Sequence, residues 1–265
     1  MNEWTRKSAE LAQTKDYLDR LYEVYKITPN PEREIPQNVL NKIKYYIESE
    51  NNDIELLKLL FTLELFPIKD SYVAFLKKEK NALKNNPRQV KRICDLIREM
   101  GYDKVVSRIT EPKETNRQIG PMFKAWVEKA RLGLNIYDHP YIFADTMADG
   151  ILNCSDAAMR IFAQEYLGYN RNKGLDFIAR KNGIYIIGEA KFLSDFGGHQ
   201  NAQFDDALST MHSPINSGAK VIPICILDGV NYIEGNNKFY KYLKENDDII
   251  ISALLLKDFL ESIKW

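Results

Sequence analysis

Leu175-Asp176-Phe177-Ile178-Ala179-Arg180-Lys181-Asn182-Gly183-Ile184-Tyr185-Ile186-Ile187-Gly188-Glu189-Ala190-Lys191-Phe192 reads as two strands joined by a tight turn. Asn-Gly between two apolar-rich runs is the strongest short-range hairpin signal, because both turn positions require positive φ. The strands are expected over Leu175–Arg180 and Ile184–Phe192. A two-residue loop of Asn182 and Gly183 makes Lys181 face Ile184, and counting back along both strands sets Asp176 opposite Glu189. Directly opposed residues share one face of the sheet with Cβ atoms about 4.5–5.5 Å apart. Lys191, two residues past Glu189, falls on that face too. The other face carries Leu175, Phe177, Ala179, Ile184, Ile186, Ala190 and Phe192, so it must pack against a helix.

Two carboxylates placed opposite one another destabilise a bare sheet. A divalent cation is the simplest group to offset them. The side chains of Asp176 and Glu189 and the main-chain carbonyl of Ala190 are hard oxygen ligands suited to Mg²⁺.

The surrounding pattern builds a mixed α/β core. Ser155 is placed to cap a helix running to Leu167, with Gly168 as its stop. After the hairpin come a helix over His199–Met211 and a buried strand over Lys220–Leu227. A short strand Val230–Ile233, a helix Phe239–Lys244, a strand Ile249–Ser252 and a helix Leu256–Ile263 complete the chain. Helix, hairpin, helix and strand in that order give an α/β (α+β mixed) fold with a central mixed sheet flanked by helices.

The upstream chain reads as helical: Thr5–Tyr25, Asn38–Glu48, Asp53–Leu65, Ser71–Lys84, Pro87–Met100 and Pro121 to about Gly133. Residues 138–153 are mixed and read as a linker or irregular edge. The division expected is therefore 1–137, helical and partly basic, and 138–265, the sheet-bearing core.

The 265 residues carry 37 basic and 37 acidic side chains, so net charge alone identifies no partner. The distribution is uneven. Val73–Arg117 holds 12 basic and 6 acidic residues, and the rest of the chain balances that excess. A basic segment joined to an acidic one suits a protein that grips a polyanion and also binds a divalent cation. Cys94, Cys154 and Cys225 are odd in number and scattered, which supports neither a disulfide framework nor a zinc motif. Three histidines argue against a histidine-rich metal centre. No apolar run approaches the ~20 residues that span a bilayer, and the amphipathic start lacks a signal-peptide core. No membrane association and a cytoplasmic location are expected.

Leu175-Asp176 followed by Glu189-Ala190-Lys191, set between a helix and a helix–strand unit, resembles the PD-(D/E)XK nuclease superfamily over roughly residues 155–227. Within it the chain looks most like a type II restriction endonuclease, given its size and the helical region before the core. Leu175 stands where the motif name has proline. The resemblance implies a site-specific endonuclease that hydrolyses double-stranded DNA with Mg²⁺ to give 5′-phosphate and 3′-hydroxyl ends. Asp176 and Glu189 become metal ligands, and Lys191 contacts the nucleophile or the scissile phosphate. A structure-specific repair or recombination nuclease on the same core is an alternative, as is a non-catalytic DNA-binding module on a degenerate core.

Glu165 follows Ala158, Ile161 and Phe162 at helical spacing, which makes it a candidate further metal ligand. Gly197 and Gly198 permit close backbone approach to phosphate. His199, Gln200, Asn201 and Gln203 are of the types that contact base edges or phosphates. In the basic segment the same reasoning selects Arg88, Gln89, Lys91 and Arg92 at the start of the Pro87 helix, and Asn116 and Arg117 beyond it. One candidate active site per chain, set against two antiparallel DNA strands, favours a homodimer.

Overall fold

A computed structural model describes residues 1–27, 31–49, 51–112, 118–216 and 218–264. The chain forms two compact units, Met1–Ile27 with Thr115–Trp265, and Thr28–Glu114. Among the described residues there are fourteen α-helices and one mixed six-stranded sheet. No helix among them is long and apolar enough to cross a membrane.

Helices α1 (Glu3–Ala12) and α2 (Tyr17–Val24) open the chain where one long helix was expected. Gln13 donates its N–H to Glu10, and the Thr14 hydroxyl turns back to the Leu11 carbonyl at 2.6 Å, which closes α1. The break resets the helical phase. Tyr17, Leu21 and Val24 are buried, whereas Leu18 and Tyr22 lie in solvent.

The second unit is helical: α3 (Gln37–Glu48), α4 (Asp53–Phe61), α5 (Val73–Lys78), α6 (Ala82–Asn85), α7 (Pro87–Met100) and α8 (Tyr102–Ile109). Helix α7 has the expected bounds. Pro87 occupies its first turn, Val90, Ile93, Cys94 and Ile97 form the buried stripe, and Gly101 ends it at φ 78°. Its stripe packs with Ile43 and Ile47 of α3 and Leu56, Leu57 and Leu60 of α4.

The first unit resumes with α9 (Ile119–Ala130), β1 (Asn135–Tyr137), α10 (Pro140–Thr146), β2 (Gly150–Leu152) and α11 (Asp156–Leu167). The expected linker at 138–153 is thus a helix and a buried strand. The hairpin β3 (Phe177–Lys181) and β4 (Ile184–Leu193) follows, then α12 (Gly198–Met211), β5 (Val221–Gly229), α13 (Lys238–Glu245), β6 (Ile250–Ile251) and α14 (Leu256–Ser262). Residues 230–232 form a 3₁₀ turn rather than a strand.

The sheet runs β1-β2-β3-β4-β5-β6. Strand β1 is parallel to β2, β2–β3–β4 are antiparallel, and β4–β5–β6 are parallel, with α12 as the crossover between β4 and β5. Phe177, Ala179, Ile186 and Ala190 pack with Phe123 and Val127 of α9. Ile178, Tyr185 and Ile187 alternate to the opposite face and pack with Phe143 of α10 and Met159 and Phe162 of α11. Leu175 joins this second cluster, not the Phe177 face, because it precedes the pleated strand.

The unit division departs from the expected boundary at 137/138. Residues 1–27 pack with the sheet because their polar side chains satisfy its edge. Thr5 Oγ1 donates to the Asp248 carbonyl and accepts from Ile250 N–H, while Ser8 Oγ accepts from Ser252 N–H.

Candidate active site

The β3–β4 ladder pairs Phe177 with Gly188, Ile178 with Ile187, Ala179 with Ile186, Arg180 with Tyr185 and Lys181 with Ile184, which is the expected register. Asn182 and Gly183 take φ 49° and 73°, as the two-residue turn demands. Asp149 fastens the turn by accepting Asn182 N–H at 2.7 Å and pairing with Lys181 Nζ at 2.8 Å.

At the far end of the hairpin, Asp176 N–H continues the ladder to the Gly188 carbonyl at 3.1 Å. Asp176, Glu189 and Lys191 line one open cleft of about 490 Å³ together with Asp156, Ala157, Arg160, Lys173 and Gly174. Asp176 Oδ2 accepts from Ala190 N–H at 2.9 Å. Glu189 is 3% exposed, and its Oε1 accepts from Lys173 Nζ at 2.7 Å and from Lys191 Nζ. Lys173 Nζ also pairs with Asp206 Oδ2 of α12, whose Oδ1 is held by Arg171 at 3.0 Å. The first turn of α9 stands over the acid: a Cβ on Gly120 would lie 3.6 Å from Asp176 Oδ1.

Burial, and next the Glu189 charge, push the Asp176 carboxyl up to about 6. Burial works against the Lys191 ammonium, yet the Glu189 and Asp176 carboxylates outweigh it and hold its pKa above the ordinary lysine value. Asp206 shifts the other way. Burial raises it, but the Lys173 hydrogen bond and the surrounding cations leave it below the usual carboxylate range.

An acid with a raised pKa beside a second carboxylate is the setting that a hard cation relieves, and the oxygen donors present are of the type such a cation takes. Among the described residues no three His, Cys, Asp or Glu side chains converge as a metal cluster. Glu165 does not line this cleft. It is exposed, because α11 buries Met159, Phe162, Ala163 and Leu167 instead of the stripe through Ile161. The acid that α11 does bring to the cleft is Asp156 in its first turn, paired with Lys124 of α9.

The family model of the Tsp45I type II restriction enzyme matches residues 2–263. The chain belongs to the Tsp45I type II restriction enzyme family. No curated protein and no solved structure matches it. Membership makes it a restriction endonuclease whose substrate is DNA, and the mixed sheet with flanking helices is consistent with a nuclease core.

The remaining candidate residues of this restriction enzyme separate into surface groups and buried ones. Arg88 is exposed on α7 and has no polar partner among the described residues. Lys91 is exposed and pairs with Asp95 at 3.0 Å. Arg92 is committed to its own unit, reaching Asp70 at 2.9 Å and Gln89 Oε1 at 2.8 Å over the Tyr72 ring. Asn116 and Arg117 lie outside the described residues.

On α12, His199 is exposed and its Nε2 lies 3.0 Å from Gln203 Nε2, while Asn201 reaches back to the Phe196 carbonyl at 3.4 Å. Gln200 departs from expectation. It is 2% exposed and donates to Ser194 Oγ at 3.1 Å, so it braces the β4–α12 connection instead of presenting itself to DNA. Sequence reasoning missed Asp156, Arg160, Lys173 and Asp206. Asp156 was within reach, one residue past the Ser155 cap; the others meet the motif only through tertiary packing.

Proposed function

We propose that this family member is a site-specific double-stranded DNA endonuclease of the PD-(D/E)XK type, hydrolysing phosphodiester bonds with Mg²⁺ to leave 5′-phosphate and 3′-hydroxyl ends. The observation that carries this reading is the meeting of Asp176, Glu189 and Lys191 in one cleft. Asp176 and Glu189 hold the cation with the Ala190 carbonyl as a third oxygen. The N–H and C=O of one strand residue point to the same edge, and the Ala190 N–H points to Asp176. When bound, the cation offsets charge on the phosphoryl oxygen and lowers the pKa of a coordinated water.

Lys191 remains an ammonium between two carboxylates, so it serves as a donor that orients the attacking water or steadies the scissile phosphate. Arg88 and Lys91 on the exposed side of α7 supply phosphate or base contacts. His199, Asn201 and Gln203 on the first turns of α12 do the same. Two copies about a two-fold axis bring one cleft to each strand of a palindromic or nearly palindromic target.

Digestion of mixed-sequence phage DNA tests the proposal. With Mg²⁺ the enzyme should give discrete bands, and with a chelator none. Asp176→Ala, Glu189→Ala and Lys191→Ala should each reduce cleavage by at least the ~10²–10³ typical of losing such an electrostatic group, with circular dichroism unchanged. Near-normal cleavage by any one variant overturns that residue's role, and bands in chelator overturn the metal.

A further inference from the structure

Among the described residues, Lys173 is the one cation at Glu189 that the motif does not account for. It comes from the connection between α11 and β3, one residue before Gly174, and its side chain keeps 26% exposure. Its Nζ lies 2.7 Å from Glu189 Oε1 and pairs at the same time with Asp206 Oδ2. Lys191 Nζ meets that same Glu189 oxygen. A single buried carboxylate oxygen therefore carries two ammonium groups.

We infer that Lys173 is an internal counter-cation that occupies Glu189 in the metal-free enzyme and must withdraw for a divalent cation to be held there. The inference rests on the proposed role of Asp176 and Glu189 as ligands. An ammonium and a divalent cation sharing one carboxylate oxygen repel strongly at low effective dielectric. Both lysine side chains keep a similar path to solvent, but among the described residues only Lys173 is already bonded to a second acceptor. Lys173 is therefore the one that can withdraw without losing its ion pair. Asp206 is that acceptor: it is held ionised by its cationic neighbours and anchored by Arg171.

In the free protein Lys173 thus neutralises the acids without metal and competes with metal for Glu189. A DNA phosphate in the cleft offers the displaced ammonium a new partner, so metal and DNA should bind with positive coupling.

Titration of the full chain with Mn²⁺, read from the resonance signal of the free ion, tests this without turnover. Lys173→Met and Lys173→Gln in the absence of DNA should bind Mn²⁺ about tenfold more tightly, or better, than the wild type. Lys173→Arg should stay at or below the wild-type affinity. Detectable binding by Lys173→Met where the wild type shows none also supports the inference. Either neutral variant suffices, provided its circular dichroism is native. If folded neutral variants bind Mn²⁺ no more tightly than the wild type, or bind none, Lys173 is a structural strut and the inference is overturned. Glu189→Ala separates the two levels. If it abolishes Mn²⁺ binding while Lys173→Met brings no gain, only the counter-cation role fails. If Glu189→Ala binds Mn²⁺ like the wild type, the ligand assignment fails with it.

Discussion

Replacing Asp176 with asparagine should stabilise the metal-free protein at neutral pH while ending cleavage. Burial, then the Glu189 charge, displace the Asp176 carboxyl from 3.8 to about 6. A displacement of two pKa units is worth roughly 3 kcal/mol. Relaxation around a buried pair reduces what is measured, so a gain on the order of 1–3 kcal/mol is expected. The sign follows from proton counting. The unfolded carboxyl ionises near 3.8 and the folded one near 6, so between those values the folded state binds more protons. Stability therefore falls as pH rises through the window, and above it the whole penalty is present. Asparagine keeps an oxygen for the Ala190 N–H and never ionises, so it removes the penalty only where the penalty exists.

For a chain of this size each kcal/mol moves the melting point by roughly 2–4 °C. Melting in chelator should show the variant up by several degrees at about pH 7.5 and by little at about pH 4. The transition to follow is that of the sheet-bearing unit. Excess Mg²⁺ should then raise the wild type and leave the variant where it is. A variant that melts below the wild type at neutral pH, or gains equally at both pH values, refutes the reasoning.

Three further outcomes are expected. Arg88→Ala should weaken DNA binding and, if it removes a phosphate contact, lower the salt slope by about one unit. Arg92→Ala, whose partners are Asp70 and Gln89, should leave affinity near wild type and cost at most about 1 kcal/mol of stability; anisotropy over a salt series distinguishes them, and the reverse pattern would move the DNA contact to Arg92. Sedimentation with cognate duplex should show two chains per duplex, and a 1:1 complex that still makes complete double-strand cuts at limiting enzyme rules out the dimer.

The parts of the fold legible in the sequence are those set by short-range signals. Asn182-Gly183 determined the hairpin register, and with it the meeting of Asp176, Glu189 and Lys191. Pro87 with Gly101, and Ser155 with Gly168, marked α7 and α11 at both ends. What was not legible depends on tertiary choice. Helix α11 offers two apolar stripes, and the one through Met159, Phe162 and Ala163 was buried because it faces Phe143 and the sheet; Ile161 and Glu165 were therefore turned outward. Strands β1 and β2 span three residues each, too short for alternation to register. Gln200 has the composition of a DNA reader, and only the return of the chain after β4 puts it against Ser194.

The N-terminal helices explain how the site keeps its geometry. Strand β4 carries Glu189 and Lys191 and is backed by β5 along Tyr185–Leu193 with Val221–Gly229. Near the end of that pairing Asp228, opposite Phe192, is fully buried, and burial raises its pKa against the groups that hydrogen-bond to it. Those donors are Ser252 Oγ, Ala253 N–H at 3.1 Å, Tyr25 Oη at 2.9 Å and Tyr17 Oη at 3.2 Å. The two tyrosines stand more than 200 residues away in sequence. A buried carboxylate is tolerable only when its lone pairs are met, so α2 must dock for β5 to end in this way. Helix α1 closes the neighbouring edge at the same time, its Thr5 and Ser8 hydroxyls taking the N–H groups of Ile250 and Ser252 that a bare edge strand would expose. Asp228 lies one residue out of phase with the pair Lys191 and Leu227, and so points away from the Glu189 face. The clamp thus grips the strand pair from the face opposite the cleft. It fixes the ends of β4 and β5 while leaving Glu189 and Lys191 open to the cleft, which is the support a site needs when its carboxylates must stay in register under mutual repulsion.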